Sequence, residues 1–156
     1  MARRGLSRQE CDEILEELRC ECPSENDDLL RWFADSYALD ATCDFDLNDL
    51  IGVLHSKGGR RIARRSFADG SRPASALLSM TWASDQNQAD GTHVGGVVIF
   101  RIRQEKLGTY WGTPIAEMMG YFKSLGRDGA AAVFGVLTDE RVDGDFEMFG
   151  LRVTEV

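Results

Sequence analysis

With 156 residues, 43% of them hydrophobic and 9% aromatic, the chain has the means to bury one sizeable core and is too apolar for a disordered segment. Its 26 acidic residues against 18 basic ones leave a net charge of −8, which speaks against binding to nucleic acid or to an anionic membrane. No apolar run approaches the roughly 20 residues of a membrane helix. The basic start MARRGLSRQE has no apolar segment behind it, so no secretory signal is expected and the expected location is the cytoplasm.

The four cysteines stand at 11, 20, 22 and 43, and Cys20 with Cys22 makes C-x-C rather than the C-x-x-C of a redox or zinc site. The two histidines, His55 and His93, lie far apart. The expectation is no structural metal, no cofactor and reduced cysteines, with Cys11 and Cys43 in the core.

Ser7 and Glu10 form an S-x-x-E capping box that opens a helix. Cys11, Ile14, Leu15 and Leu18 recur at helical spacing behind it, and Pro23 ends the element. A second helix restarts in SENDDLLRWFADSY, with Ser24 or Asn26 as cap and Asp27 and Asp28 in its first turn. Leu29, Leu30, Trp32 and Phe33 supply its buried side. Ala38 to Asp46 alternates polar and apolar residues and predicts a half-buried strand. A third helix follows in DLIGVLHSKGG. Strands are expected in RRIARRSFADG and in Pro73 to Ser84, with the polar loop DQNQADG after the second.

Thr92 to Gly112 reads as two antiparallel strands joined by a polar turn at Gln104-Glu105-Lys106. Val94, Gly96, Val98, Phe100 and Ile102 fall on one face, and Val97, Ile99, Arg101 and Arg103 on the other. TPIAEMMGYFKSLG predicts a helix with Pro114 at its first position. The remainder predicts one more helix, a turn at Asp143-Gly144 and a last strand, Phe146 to Val153. Helices followed by a run of antiparallel strands make an α+β pattern, with the helices on one face of a curved sheet.

Two stretches, LLRWFADSYALDATCDFD and GGVVIFRIRQEKLGTYWG, resemble the nuclear transport factor 2-like superfamily and its SnoaL-like group, across roughly residues 7 to 112. The resemblance implies a cone-shaped antiparallel sheet around a small-molecule pocket, frequently in a homodimer. The segment 113–156 is then an extension packed on the core or on a partner subunit. The implied activities are cofactor-independent isomerase, cyclase or dehydratase chemistry on a hydrophobic substrate. The alternative is a non-catalytic module binding a ligand or a protein. The family's catalytic sets do not map onto the chain: the steroid isomerase acid falls at Val98, and its base at Phe45 or Ala41.

The residues that could carry acid-base chemistry are Asp44, Asp40 and His93, with Tyr37 or Tyr110 donating to a developing oxyanion. The competing reading leaves the aspartates on the solvent face of their strand. Trp82, Met80, Val98, Phe100 and Trp111 are the candidate pocket lining. RRIARR, from Arg60 to Arg65, is the one basic cluster, suited to capturing a carboxylate or phosphate or to making surface ion pairs. The face bearing Val97, Ile99, Arg101 and Arg103 is the expected homodimer interface.

Overall fold

The computed structural model describes residues 5–55, 59–67, 92–124 and 131–155. It contains helices α1 (Arg8–Glu21), α2 (Asp27–Ser36), α3 (Leu47–Leu54), α4 (Gln104–Tyr110) and α5 (Thr113–Ser124). Its strands are β1 (Asp40–Cys43), β2 (Gly59–Phe67), β3 (Thr92–Ile102), β4 (Ala131–Thr138) and β5 (Phe146–Glu155).

The first three helices begin where their caps dictate. The Ser7 hydroxyl accepts from the Glu10 amide at 3.2 Å, and the Glu10 carboxylate accepts from the Ser7 amide at 3.1 Å. The Asn26 side chain accepts from the amides of Asp28 and Leu29 at 2.8 and 3.3 Å, so Asn26 rather than Ser24 is the cap. Asp46 accepts from the Asn48 amide at 2.6 Å and opens α3. Each of these bonds satisfies an amide that the helix leaves without an internal acceptor.

The strands form one mixed sheet in the order β1-β4-β3-β5-β2. β3 pairs with β5 antiparallel and with β4 parallel, in the register Phe100↔Val136. β1 lies antiparallel to β4, and β2 antiparallel to β5. A parallel pair needs a crossover between its strands. Here α4 and α5 provide it, between the end of β3 and the start of β4.

Both faces of the sheet are covered. Val97, Ile99, Val133, Leu137, Phe149, Leu151 and Val153 share one core with α1, α2, α3 and Phe45. Val98, Phe100, Ile102, Val136, Phe146 and Met148 share the other with Tyr110 of α4 and Ile115 and Met118 of α5. β1 contributes to both. An irregularity between Ala41 and Cys43 turns Ala41 to the first core and Cys43 to the second, the bend a bulge produces.

This architecture corrects the expected cone. The sheet is mixed and flanked by helices on two sides, and among the described residues no curved antiparallel sheet encloses a pocket. The expected second strand of the Thr92–Gly112 hairpin is α4. The further helix expected after TPIAEMMGYFKSLG is instead strand β4. The segment from 113 onward supplies α5 and the two strands that flank β3. The β3 face expected to meet a second subunit lies under α1–α3, where Arg101 is only 6% exposed. The strand expected at Pro73 to Ser84 and the loop after it lie outside the described residues.

Candidate functional site

Arg101 is a cation in the middle of an apolar strand, and its surroundings explain how it is tolerated. Its Nη2 donates to the Trp32 carbonyl at 3.1 Å and to the Ser36 hydroxyl at 2.7 Å. The Ser36 hydroxyl itself donates to the Trp32 carbonyl at 2.9 Å. The guanidinium lies 3.9 Å over the Trp32 ring, and Trp32 in turn stacks on Phe149 at 4.7 Å. A desolvated cation on an indole face gains about 2 kcal/mol.

Asp139, the first residue after β4, supplies the countercharge, with its Oδ2 3.7 Å from Arg101 Nη1. Its backbone amide donates to the Ile102 carbonyl at 2.9 Å, tying the end of β4 to the end of β3. Arg141 donates to Asp139 through its backbone amide and its Nε, both at 3.0 Å. Burial alone would push the Asp139 carboxyl up. The Arg141 hydrogen bonds, with the charges of Arg141 and Arg101, outweigh it and hold the carboxyl below its ordinary value. These side chains border a cleft of about 320 Å³ whose rim also carries Asp35, Asp143 and Glu147. A carboxylate held ionised between two guanidiniums is a poor proton acceptor near neutrality. The cluster therefore works as a strut between α2, β3 and the β4–β5 connection.

A second polar contact binds the other end of that connection. The Tyr110 hydroxyl donates to Asp145 Oδ2 at 2.6 Å, and Lys106 Nζ stands 3.7 Å from Asp145 Oδ1. Beside it, where α4 meets α5, Trp111 is 45% exposed. With Gly112, Ile115, Ala116, Met119 and Gly120 it lines an apolar groove of about 410 Å³. Gly112 turns the chain between the helices at φ +107°, a conformation L side chains rarely adopt.

Among the described side chains the acid-base candidates do not converge. Tyr37 is buried in the first core and donates to the Phe45 carbonyl at 3.1 Å. Tyr110 is buried in the second, across the sheet. Asp40 and Asp44 are exposed, and Asp44 accepts from the Phe45 amide at 2.8 Å. His93 stands on β3 in register with Thr154 of β5. Of the expected lining residues that are described, Val98 and Phe100 are packed in the second core, and Trp111 borders a groove. Trp82 and Met80 lie outside the described residues. The reading from the sequence missed the Arg101–Asp139 pair. Its signal was an arginine at the same parity as Val97 and Ile99, a position that demands a buried partner once that face is covered.

No protein-family model matches the chain, and no curated protein matches its sequence. Solved structures do match, and they define the class of fold as that of FtsZ. The chain superposes on the FtsZ of M. jannaschii, in a structure described as an empty dimer, with a TM-score of 0.59 at 17% identity over 91% of its length. A point variant of the same protein gives a TM-score of 0.58 at 15% identity over 97% of the chain. The chain spans 43% and 42% of those two FtsZ chains, less than half of either. At this identity the likeness establishes the fold alone. It overturns the nuclear transport factor 2-like, SnoaL-like resemblance, and with it the expected isomerase, cyclase or dehydratase activity. Among the described residues no helix is long and apolar enough to cross a membrane.

Proposed function

We propose that this chain is an assembly module, a domain with part of the FtsZ fold that pairs with a second copy through the surface formed by α4 and α5. The observation that carries the reading is Trp111, the exposed large hydrophobic residue among the described ones, set at the rim of an apolar groove. Partly exposed tryptophans beside apolar grooves are the usual anchors of protein interfaces. Ala116 and Gly120 stand one turn apart on α5, with Gly112 in the turn before it, and a Cβ added at either glycine would meet no atom within 4 Å. A row without bulk beside the ridge of Ile115 and Met119 admits a ridge from an opposing helix. The structure of the similar FtsZ from M. jannaschii is described as a dimer, which is in keeping with this reading. It is a different surface from the β3 face first expected, which the chain's own helices occupy.

The test is sedimentation equilibrium at micromolar concentration. The wild-type chain is expected at twice its 17.4 kDa mass, and Trp111→Glu at the single mass with unchanged circular dichroism. A wild-type monomer, or a dimer untouched by Trp111→Glu, would overturn the proposal.

A further inference from the structure

The strand register divides the basic cluster RRIARR into two pairs and adds a third strand position to one of them. On β2, Arg60 and Arg64 pair with Val153 and Phe149 of β5, residues of the core that α1–α3 cover. Arg61 and Arg65 pair with Arg152 and Met148, and Met148 belongs to the core on the opposite side of the sheet. Arg61 thus stands directly opposite Arg152, and Arg152 is in turn opposite Gly96 of β3. Arg61 and Arg152 are far apart in sequence, and only the antiparallel pairing of β2 with β5 sets them side by side.

Like charges directly opposite each other on one face destabilise a sheet. An anion between them reverses the sign of that interaction. Opposed residues of an antiparallel pair have Cα atoms about 4.5–5.5 Å apart, so the register places two arginine positions side by side on one face of the sheet. All three positions are arginine rather than lysine, the side chain whose planar fork matches oxyanions with two parallel hydrogen bonds. A carboxylate offers two oxygens, which one fork saturates. A phosphate group offers three oxygens and a charge of about −1.5 to −2 at neutral pH, which suits two forks. In a chain of net charge −8, this is also where positive charge gathers.

We propose that Arg61 and Arg152, flanked by Arg65, form a binding site for a phosphate group on the side of the sheet that carries α4 and α5. Arg60 and Arg64, on the other side, take no part in it.

Isothermal titration with inorganic pyrophosphate, at ionic strength held constant with chloride, tests the site. Saturable binding is expected at one per chain. Arg152→Gln and Arg61→Gln should each weaken it by roughly tenfold to a hundredfold, the value of charge-assisted hydrogen bonds. Arg61→Lys should weaken it as well, since the charge remains and the fork is lost. The double variant Arg60→Gln/Arg64→Gln should bind like the wild type. If Arg152→Gln fails to fold, the two Arg61 variants on β2 carry the comparison. A second arm uses phosphatidylcholine vesicles containing phosphatidate. Sedimentation with them that depends on Arg61 identifies the phosphate as a lipid headgroup, and binding of pyrophosphate alone identifies a soluble ligand. Absence of saturable binding in both arms, or an equal loss on substituting Arg60 and Arg64, would overturn the proposal.

Discussion

The ring of Phe45 lies directly over Gly135. A Cβ built on Gly135 would stand 2.7 Å from the Cδ1 atom of that ring, closer than real side chains approach. Gly135 sits in the middle of β4, in register with Ile99, so the contact joins the segment before α3 to the central strands. Phe45 cannot swing away easily: it is 5% exposed, and the Tyr37 ring lies 5.1 Å from it while the Tyr37 hydroxyl holds its carbonyl. Gly135→Ala is therefore expected to destabilise the chain by about 1–3 kcal/mol, the usual cost of overpacking. In a Phe45→Leu background the same change should cost less. A double-mutant cycle in urea measures the coupling, and equal costs in both backgrounds would show that Phe45 is not the obstacle.

Removing the Tyr110 hydroxyl tests the second polar contact. Asp145 is 5% exposed and receives the Tyr110 hydrogen bond at 2.6 Å. Tyr110→Phe keeps the ring against Phe146, 5.1 Å away, and deletes only the donor. The expected loss is about 1.5–3 kcal/mol, the range for a hydrogen bond to a charged group. It should appear as a lower urea midpoint at unchanged slope, and an unchanged midpoint would show that the bond contributes nothing to stability.

Two carboxylates shape the acid limb of stability. Asp139 and Asp27 both titrate below their ordinary value of 3.8 in the folded chain, Asp27 at about 2. For Asp27 the cause is hydrogen bonding from Arg19 and Arg31, at 2.7 and 2.8 Å. A depressed carboxyl contributes stability that is complete above its unfolded value and is lost as pH falls through its folded value. Stability should accordingly fall as pH drops below about 4. Asp139→Asn should flatten that fall, because the buried pair with Arg101 no longer titrates. Carboxyl titration by NMR should place Asp27 near 2 and return it towards 3.8 in an Arg19→Gln/Arg31→Gln variant; an unmoved midpoint would remove the two arginines as its cause.

Gly144 predicts the behaviour of the β4–β5 turn. It adopts φ +75° between Asp143 and the buried Asp145. Gly144→Ala should cost about 1–2 kcal/mol, because an L side chain is crowded in the left-handed region. Gly144→Asn should cost less, since asparagine tolerates that region best among the others. Thermal unfolding of the two variants measures the order, and equal melting temperatures would contradict it.

Local chemistry was legible where a residue acts on its immediate neighbours. The Ser7–Glu10 box, the Asn26 cap as one of two choices beside Ser24, the apolar faces of α1 and α2, Pro114 near the start of α5, the Asp143-Gly144 turn and the strand from Phe146 could all be read from residues a few positions apart, whereas Asp46, the cap of α3, was read as the end of the strand before it. Helix caps and turns are short-range hydrogen-bond problems, and the chain solves them within one or two turns. The capping signal did not extend to α4. Its N-cap, Arg103, makes no side-chain capping bond, and QEKLGTY carries a glycine and a threonine of low helix propensity. Its buried Tyr110, packed on Phe146, supports the helix instead.

What only the tertiary structure decided is which strands meet and what covers them. GGVVIFRI and AAVFGVLT are apolar on both parities, and alternation carries no information when both faces of a strand are buried. A short apolar run such as AAVFGVLT reads equally as helix or strand until its neighbours are known. The parallel pairing of β3 with β4, the burial of Arg101 against Asp139 and the meeting of Arg61 with Arg152 all depend on contacts between distant segments. The sequence alone determined an acidic chain with the apolar content of a folded core and well-placed helix starts. The order β1-β4-β3-β5-β2 was decided by packing, because the free energy of burying two faces of one sheet belongs to the assembled layers and to no single stretch of the chain.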